Sequence, residues 1–161
     1  MSDAIALDAE LADFIQGAVS LHAASRDARN VPNLARAVGC RVSADGRRVT
    51  LFLQASHCAT MLADFRDNGA VALVASLPRT HRTVQLKGSD AAIEALRDDD
   101  AVRVARYREA FAAQLSGLGY DADIPRTLLS GPRSDFVAVS FTVSAAFVQT
   151  PGPGAGSVLR P

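Results

Sequence analysis

The sequence is poor in cysteine and has no excess of either charge, and each absence excludes classes of protein. The two cysteines among its 161 residues, Cys40 and Cys58, lie far apart. A disulfide framework is therefore not expected, and a reducing cytoplasm is the expected location. Lys plus Arg and Asp plus Glu number 17 each, so the formal net charge is zero. This balance argues against a nucleic-acid binder and against a polybasic membrane-surface protein, because both carry a basic excess.

Long apolar runs are also missing. No run approaches the ~18 residues that span a bilayer, and residues 1–4 lack the basic and apolar regions of a signal peptide. We find no catalytic triad, phosphate loop or metal-ligand cluster. The content of 48% hydrophobic and 21% charged residues is typical of a soluble domain. We predict one domain over residues 1–150 and a flexible Pro/Gly-rich tail over residues 151–161.

Hydrophobic periodicity predicts six strands with helices inserted between them. The predicted strands cover residues 19–25, 31–42, 48–53, 70–77, 83–95 and 135–148. The predicted helices cover residues 7–18, 56–67 and 98–118. Residues 121–133 are predicted as a loop, with a helical turn within it as an alternative. Because the connections are short, the strands are expected to be mostly antiparallel. The pattern therefore predicts a mainly β fold, a closed or partly closed barrel with flanking helices.

Short motifs follow one another along residues 30–88. Pro32, Arg36, Val38 and Arg41 lie on the second predicted strand, and the run from Arg82 to Gly88 opens the fifth. Their order and spacing resemble the flavin-binding half of the pyridoxamine 5'-phosphate oxidase-like family, the FMN-binding split barrels. The resemblance covers about half of the chain. It implies a six-stranded antiparallel split barrel, an FMN cofactor, and a homodimer with the flavin at its interface.

The resemblance also implies roles for individual residues. Arg36 takes the place of the family's contact to the FMN phosphate, and the backbone that follows it lies beside the ring. Met61 stands where the family oxidase has a phosphate-binding lysine, and a thioether cannot donate a hydrogen bond. Thr83 and Gln85 fall on the family's Gln and Arg, and both can still form hydrogen bonds. The implied FMN-binding residues are Arg36, Ala37, Val38, Arg41, Gln54, Ala55, Thr60, Met61, Thr83 and Gln85.

The resemblance implies electron or hydride transfer with a small-molecule substrate or electron donor. No general acid or base stands out, so no catalytic residue is assigned. The family's C-terminal substrate-binding segment is not recognisable, and vitamin B6 oxidation is therefore not the expected reaction. The residues at Met61 and Gln85 leave open a non-enzymatic protein that holds flavin, haem or a deazaflavin on the same barrel. A purely structural dimer with an empty groove is the third possibility.

The histidines offer little further chemistry at the level of sequence. His57 and Cys58 are adjacent, and adjacent residues rarely face each other, so a structural role is favoured over a reactive pair. His22 and His81 are solitary, which argues against a haem or zinc site. A less favoured possibility is that residues 149–151 fold across the barrel mouth and touch the flavin.

Overall fold

The computed structural model describes residues 4–159, and these form nine strands and four α-helices. The strands are β1 (Ser20–Arg26), β2 (Pro32–Arg36), β3 (Cys40–Val42), β4 (Arg48–Gln54), β5 (Val71–Ser76), β6 (Thr83–Gly88), β7 (Ala92–Glu94), β8 (Phe136–Thr142) and β9 (Ala145–Val148). The helices are α1 (Ala9–Gln16), α2 (Ala59–Asn68), α3 (Asp100–Ser116) and α4 (Asp123–Leu128). Two short 3-10 helices cover Ala55–His57 and Arg133–Asp135.

The strands form two sheets rather than one closed barrel. The five-stranded sheet has the order β2-β1-β5-β6-β9, and the four-stranded sheet has the order β3-β4-β8-β7. Every strand pair is antiparallel, as predicted. The prediction of six strands is not confirmed, since nine strands lie within residues 4–159. Three of the six predicted strands are each divided into two.

Each divided strand breaks where the chain passes from one sheet to the other. Between β2 and β3, the Ala37 N–H donates to Leu21 O in the five-stranded sheet. The next N–H, of Val38, donates to Phe52 O in the four-stranded sheet. Between β8 and β9, the N–H of Val143 likewise bonds Arg47 O, and that of Ser144 bonds Lys87 O. The pairs β2/β3, β6/β7 and β8/β9 therefore tie the two sheets together.

One core fills the space between the sheets and beneath the helices. Its largest fully buried side chains include Phe52, Phe141, Ile15, Leu21, Leu51, Leu53, Met61, Leu73 and Leu86. In β1, buried residues alternate with half-buried ones, so only one face of the five-stranded sheet enters this core. The other face, which carries His22 and Ala24, remains partly exposed in the single chain.

The three predicted helices are all present, and their ends lie within three residues of the predicted bounds. Asp8 caps α1, since its Oδ1 accepts from Leu11 N over 2.8 Å. Gly69 ends α2 in the left-handed conformation, with φ of +66°. The segment predicted as a loop over residues 121–133 contains α4. No helix within residues 4–159 is long and apolar enough to cross a membrane.

The segment after β9 folds back on that strand. Val148 N donates to Ser157 O over 2.9 Å, and Leu159 N donates to Ala146 O over 2.8 Å. An isolated bridge joins Phe147 to Val158. The flexibility of residues 151–161 stays a prediction, and residues 160–161 lie outside the described range. The signal-peptide expectation likewise falls largely on residues 1–3, which the structure does not describe.

Candidate functional site

The partly exposed face of the five-stranded sheet carries three of the ten predicted residues. The strand register pairs Arg36 with His22, His22 with Val74, and Val74 with Gln85. These four side chains form one row across β2, β1, β5 and β6. Thr83 lies two residues before Gln85 and points to the same face, because side chains alternate along a strand. We call this surface the open face.

Arg36 is held at the edge of the open face by two contacts. Its Nη1 donates to Ser20 Oγ over 3.0 Å. Its guanidinium carbon lies 5.9 Å from the centroid of the Phe111 ring on α3, at the outer limit of a cation–π contact. These contacts use only part of the five N–H donors of the guanidinium. Arg36 is half-buried here, and its remaining donors can form hydrogen bonds to an anion.

The opposite end of the row is built partly from residues after β9. Gln149 Nε2 donates to Gln85 Oε1 over 3.3 Å. Thr83 N donates to Thr150 Oγ1 over 3.0 Å, and the Thr83 hydroxyl lies 2.7 Å from that of Ser76. Gln149 and Thr150 thus lie beside two predicted residues. This placement is the geometry that the less favoured prediction for residues 149–151 requires, while its contact with a flavin stays a prediction.

Four other predicted residues lie around the start of α2. An open cavity of about 260 Å³ lies there, lined by Asn33, Leu34 and residues 56–61. The first N–H groups of any helix lack partners within it, and Cys58 provides no side-chain cap for α2. Thr60 is exposed on this cavity, whereas Met61 is 1% exposed. Gln54 is turned away, because its Nε2 donates to Ser130 O over 2.8 Å, and Ala55 opens the 3-10 helix.

Arg41 lies on a different surface from Arg36. It belongs to β3, and its Nε donates to Asp100 Oδ1 over 3.1 Å while its Nη1 donates to Thr50 Oγ1 over 3.1 Å. The Arg41 side chain is 8% exposed and that of Asp100 is 0% exposed. Between the two arginines, Ala37 and Val38 are buried at the crossing from one sheet to the other. The structure therefore places the ten predicted residues in four locations of the single chain: the open face, the start of α2, the surface around Arg41 and the buried crossing between the sheets.

Comparison with solved structures identifies the fold. The chain is similar to HupZ of Group A Streptococcus, with 17% identity, a TM-score of 0.57, and coverage of 93% of this chain and 99% of that one. It is similar to a candidate pyridoxamine 5'-phosphate oxidase of Lactobacillus delbrueckii, with 16% identity, a TM-score of 0.55, and coverage of 89% and 94%. It is also similar to general stress protein 26 of Bacillus anthracis, with 13% identity, a TM-score of 0.51, and coverage of 92% of this chain and 93% of that one.

The chain has the fold of the pyridoxamine 5'-phosphate oxidase-like proteins. This fold is the one that the sequence resemblance implied. No family model matches the sequence, and no curated protein matches it. At identities of 13–17%, the likeness describes the fold of this chain, and the chemistry has to be argued from its own residues.

The cysteines of this pyridoxamine 5'-phosphate oxidase-like fold are unsuited to act as nucleophiles. Burial, and then the nearby Asp135 carboxylate, raises the pKa of Cys58 to about 11. Burial raises the pKa of Cys40 to about 12. Because the thiolate is the reactive form, both groups stay unreactive thiols near neutral pH. The structural role predicted for the His57–Cys58 pair agrees with this chemistry.

His22 and Ser20 lie on the open face, but neither residue is among those predicted from the sequence. His22 is half-buried, and burial, followed by the Arg36 guanidinium, lowers the pKa of its imidazole. The alternation of β1 could have placed Ser20 and His22 on one face. Their proximity to Arg36 depends on the β1–β2 register, which the sequence does not give.

Proposed function

We propose that this chain binds FMN on the open face and acts as a flavin-dependent, oxidoreductase-like homodimer. The observation that carries the proposal is the row Arg36, His22, Val74 and Gln85 across four adjacent strands. Its first and last members lie three strand spacings apart, or about 14 Å. A cation at one end and an amide at the other, with an apolar side chain between them, match a phosphate and a flat ring with a polar edge.

The donor set of the open face fits this cofactor. Arg36 retains unused N–H donors for a phosphate, and the paired amides of Gln85 and Gln149 can bond ring nitrogens and carbonyls. Val74 is half-buried between them and can lie against a ring. When bound, FMN would supply the electron or hydride chemistry. The chain's own residues would bind and orient it, and a second copy would cover the open face and exclude water.

In the proposed site, Met61 does not bind the FMN phosphate, and Arg41 does not bind it together with Arg36. Met61 is buried and has no donor. Arg41 bonds Asp100 and Thr50 on the other sheet. The phosphate contact therefore depends mainly on Arg36, and Thr60 and the start of α2 offer further donors in the cavity beside β2.

Replacing Arg36 with Ala tests this function. We expect FMN affinity to fall by roughly 10- to 150-fold, because a charged hydrogen bond contributes about 1.5–3 kcal/mol. Affinity for riboflavin, which lacks the phosphate, should change little. Both are measured by quenching of flavin fluorescence. Arg29→Ala is the matched control, since the Arg29 side chain is 84% exposed in a turn away from the row. Failure of the unaltered protein to bind FMN at micromolar concentration would contradict the proposal.

A second candidate is a non-enzymatic protein that holds flavin, haem or a deazaflavin on the same face. The uncharged Met61 and Gln85, at positions where the related oxidase carries cations, favour it. Reduction of the FMN-loaded protein by NADPH or NADH distinguishes the two functions. Flavin that is bound but not reduced by either nucleotide, together with tighter binding of haemin or a deazaflavin, would favour the second candidate.

A further inference from the structure

Ser20 and His22 of β1 form a polar group with Arg36 at one edge of the open face. Arg36 Nη1 donates to Ser20 Oγ over 3.0 Å, and that oxygen lies 3.5 Å from His22 Nδ1. His22 is also the register partner of Arg36. Directly paired residues on adjacent strands have Cβ atoms about 5 Å apart. A guanidinium, a hydroxyl and an imidazole therefore converge where one anion can contact all three.

We propose that His22 is a further anion-binding residue, which takes up a proton when a phosphate dianion binds at Arg36. The inference rests on the proposed function, because the phosphate is that of the same FMN. A neutral imidazole has one N–H donor, whereas an imidazolium has two. Protonation thus adds both a donor and a positive charge beside the phosphate.

In the unliganded chain, the surroundings of His22 favour the neutral form of its imidazole. Burial, and then the positive Arg36, lowers its pKa in the unliganded chain. Its partner on β5 is the uncharged Val74. From α3, the Tyr107 hydroxyl donates to Val19 O, and burial raises the pKa of Tyr107, so this group adds no charge. Within residues 4–159, Arg36 is the charged side chain that acts on His22.

A bound dianion reverses the sign of the local charge. A negative charge within about 4–6 Å of a histidine raises the pKa of its imidazole by about one to three units. The pKa of His22 is then higher in the complex than in the free protein. At a pH between these two pKa values, His22 is protonated in the complex and neutral in the free protein. The contribution of His22 to FMN affinity therefore rises as the pH falls through that window and is constant outside it.

The test follows the His22 ring proton by NMR in the whole protein, without ligand and with saturating FMN, riboflavin or inorganic phosphate. We expect FMN and phosphate to raise the His22 pKa by about one unit or more, and riboflavin to leave it unchanged. Calorimetry in two buffers should detect proton uptake with FMN at pH values between the two His22 pKa values that NMR gives for the free protein and the complex. His22→Gln should abolish that uptake. His81→Asn, in an exposed loop, should keep it.

The outcomes separate this inference from the proposed function. If FMN binds and proton uptake persists in His22→Gln, the inference is wrong while the proposed function stands. If FMN does not bind but inorganic phosphate still raises the His22 pKa, the proposed function fails and the coupled anion site stands. An unchanged pKa with both FMN and phosphate overturns the inference. A His22→Gln variant that fails to fold leaves the NMR measurement on the unaltered protein as the deciding result.

Discussion

At the scale of single residues, the buried pair Arg41–Asp100 is a contact that should be sensitive to substitution. Arg41→Met leaves the fully buried Asp100 carboxylate without its guanidinium. Breaking such a pair from one side costs about 3–5 kcal/mol, because the remaining buried charge has lost the opposite charge beside it. We expect a loss of this size in the free energy of unfolding, measured with urea. That is a large share of the stability of a domain of this size.

The double variant Arg41→Met/Asp100→Asn tests the cause. It removes the orphaned charge, and the amide that replaces the carboxylate retains an oxygen for the Arg97 N–H, which Asp100 Oδ2 accepts in the unaltered protein. We expect it to regain about 0.5–3 kcal/mol relative to Arg41→Met alone. Arg47→Met, an exposed arginine in the β3–β4 hairpin, is the control and should change stability by less than about 0.5 kcal/mol. A double variant no more stable than the single variant would show that the lost packing, not the charge, matters.

The same residues show what the sequence can and cannot predict about the site. Arg36 and Arg41 are five positions apart, and the sequence resemblance assigns both to one cofactor. The chain changes sheets between them, so their side chains lie on different surfaces. His22 is solitary in the sequence, since its partners Arg36 and Val74 come from distant segments. The spacing of residues along the sequence indicates which residue types a site contains. Which of those side chains lie together depends on the strand register.

At the scale of elements, the end of α2 requires a glycine at position 69, and a substitution there tests this requirement. Gly69 has φ of +66°, and a Cβ there would lie 2.7 Å from Ser89 O. The left-handed conformation costs a non-glycine residue about 1–2 kcal/mol, and this backbone contact adds to that cost. We therefore expect Gly69→Ala to lower the free energy of unfolding by more than about 2 kcal/mol. Urea unfolding measures the change.

Gly119 is the matched control for Gly69. It also has a positive φ, of +91°, but nothing lies within 4 Å of a Cβ built there. Gly119→Ala should therefore show the conformational cost alone, about 1–2 kcal/mol. Equal losses in the two variants would mean that the backbone at Ser89 moves away without penalty.

Helix ends are predictable because their signals are local. Asp8 and Gly69 act on the backbone within a few residues, so their roles can be inferred from the sequence. The division of strands depends on contacts that are remote along the chain. Gly88 is typical of a bend, and a Cβ there would lie 2.6 Å from the Phe141 ring, yet the sequence does not reveal that β7 joins the other sheet. The predicted strands therefore cover nearly all of the observed strand residues, but the predicted number of six is not confirmed, because three of them are divided.

At the scale of the whole molecule, the open face is a surface that the described part of the chain leaves partly exposed. Leu34, on β2 beside Arg36, is 70% exposed, and Val31 before it is 49% exposed. The register places Leu34 opposite Ala24, on the same face as the row of Arg36 and His22. An apolar edge next to a guanidinium fits an interface that is apolar at its centre and polar around the ligand.

Leu34→Asp tests the homodimer that the proposed function includes. A carboxylate at this position would be desolvated in the interface and would repel the FMN phosphate, so we expect a monomer of 16.9 kDa with weakened FMN binding. Light scattering after size-exclusion chromatography gives the mass, and fluorescence quenching gives the affinity. Val102→Asp is the control, because Val102 is 61% exposed on α3 and should leave the dimer intact. If both variants remain dimers with undiminished FMN affinity, the interface lies elsewhere, and the open face has to bind its ligand without a second chain. If both become monomers, Leu34 is not the specific contact that the geometry of β2 requires.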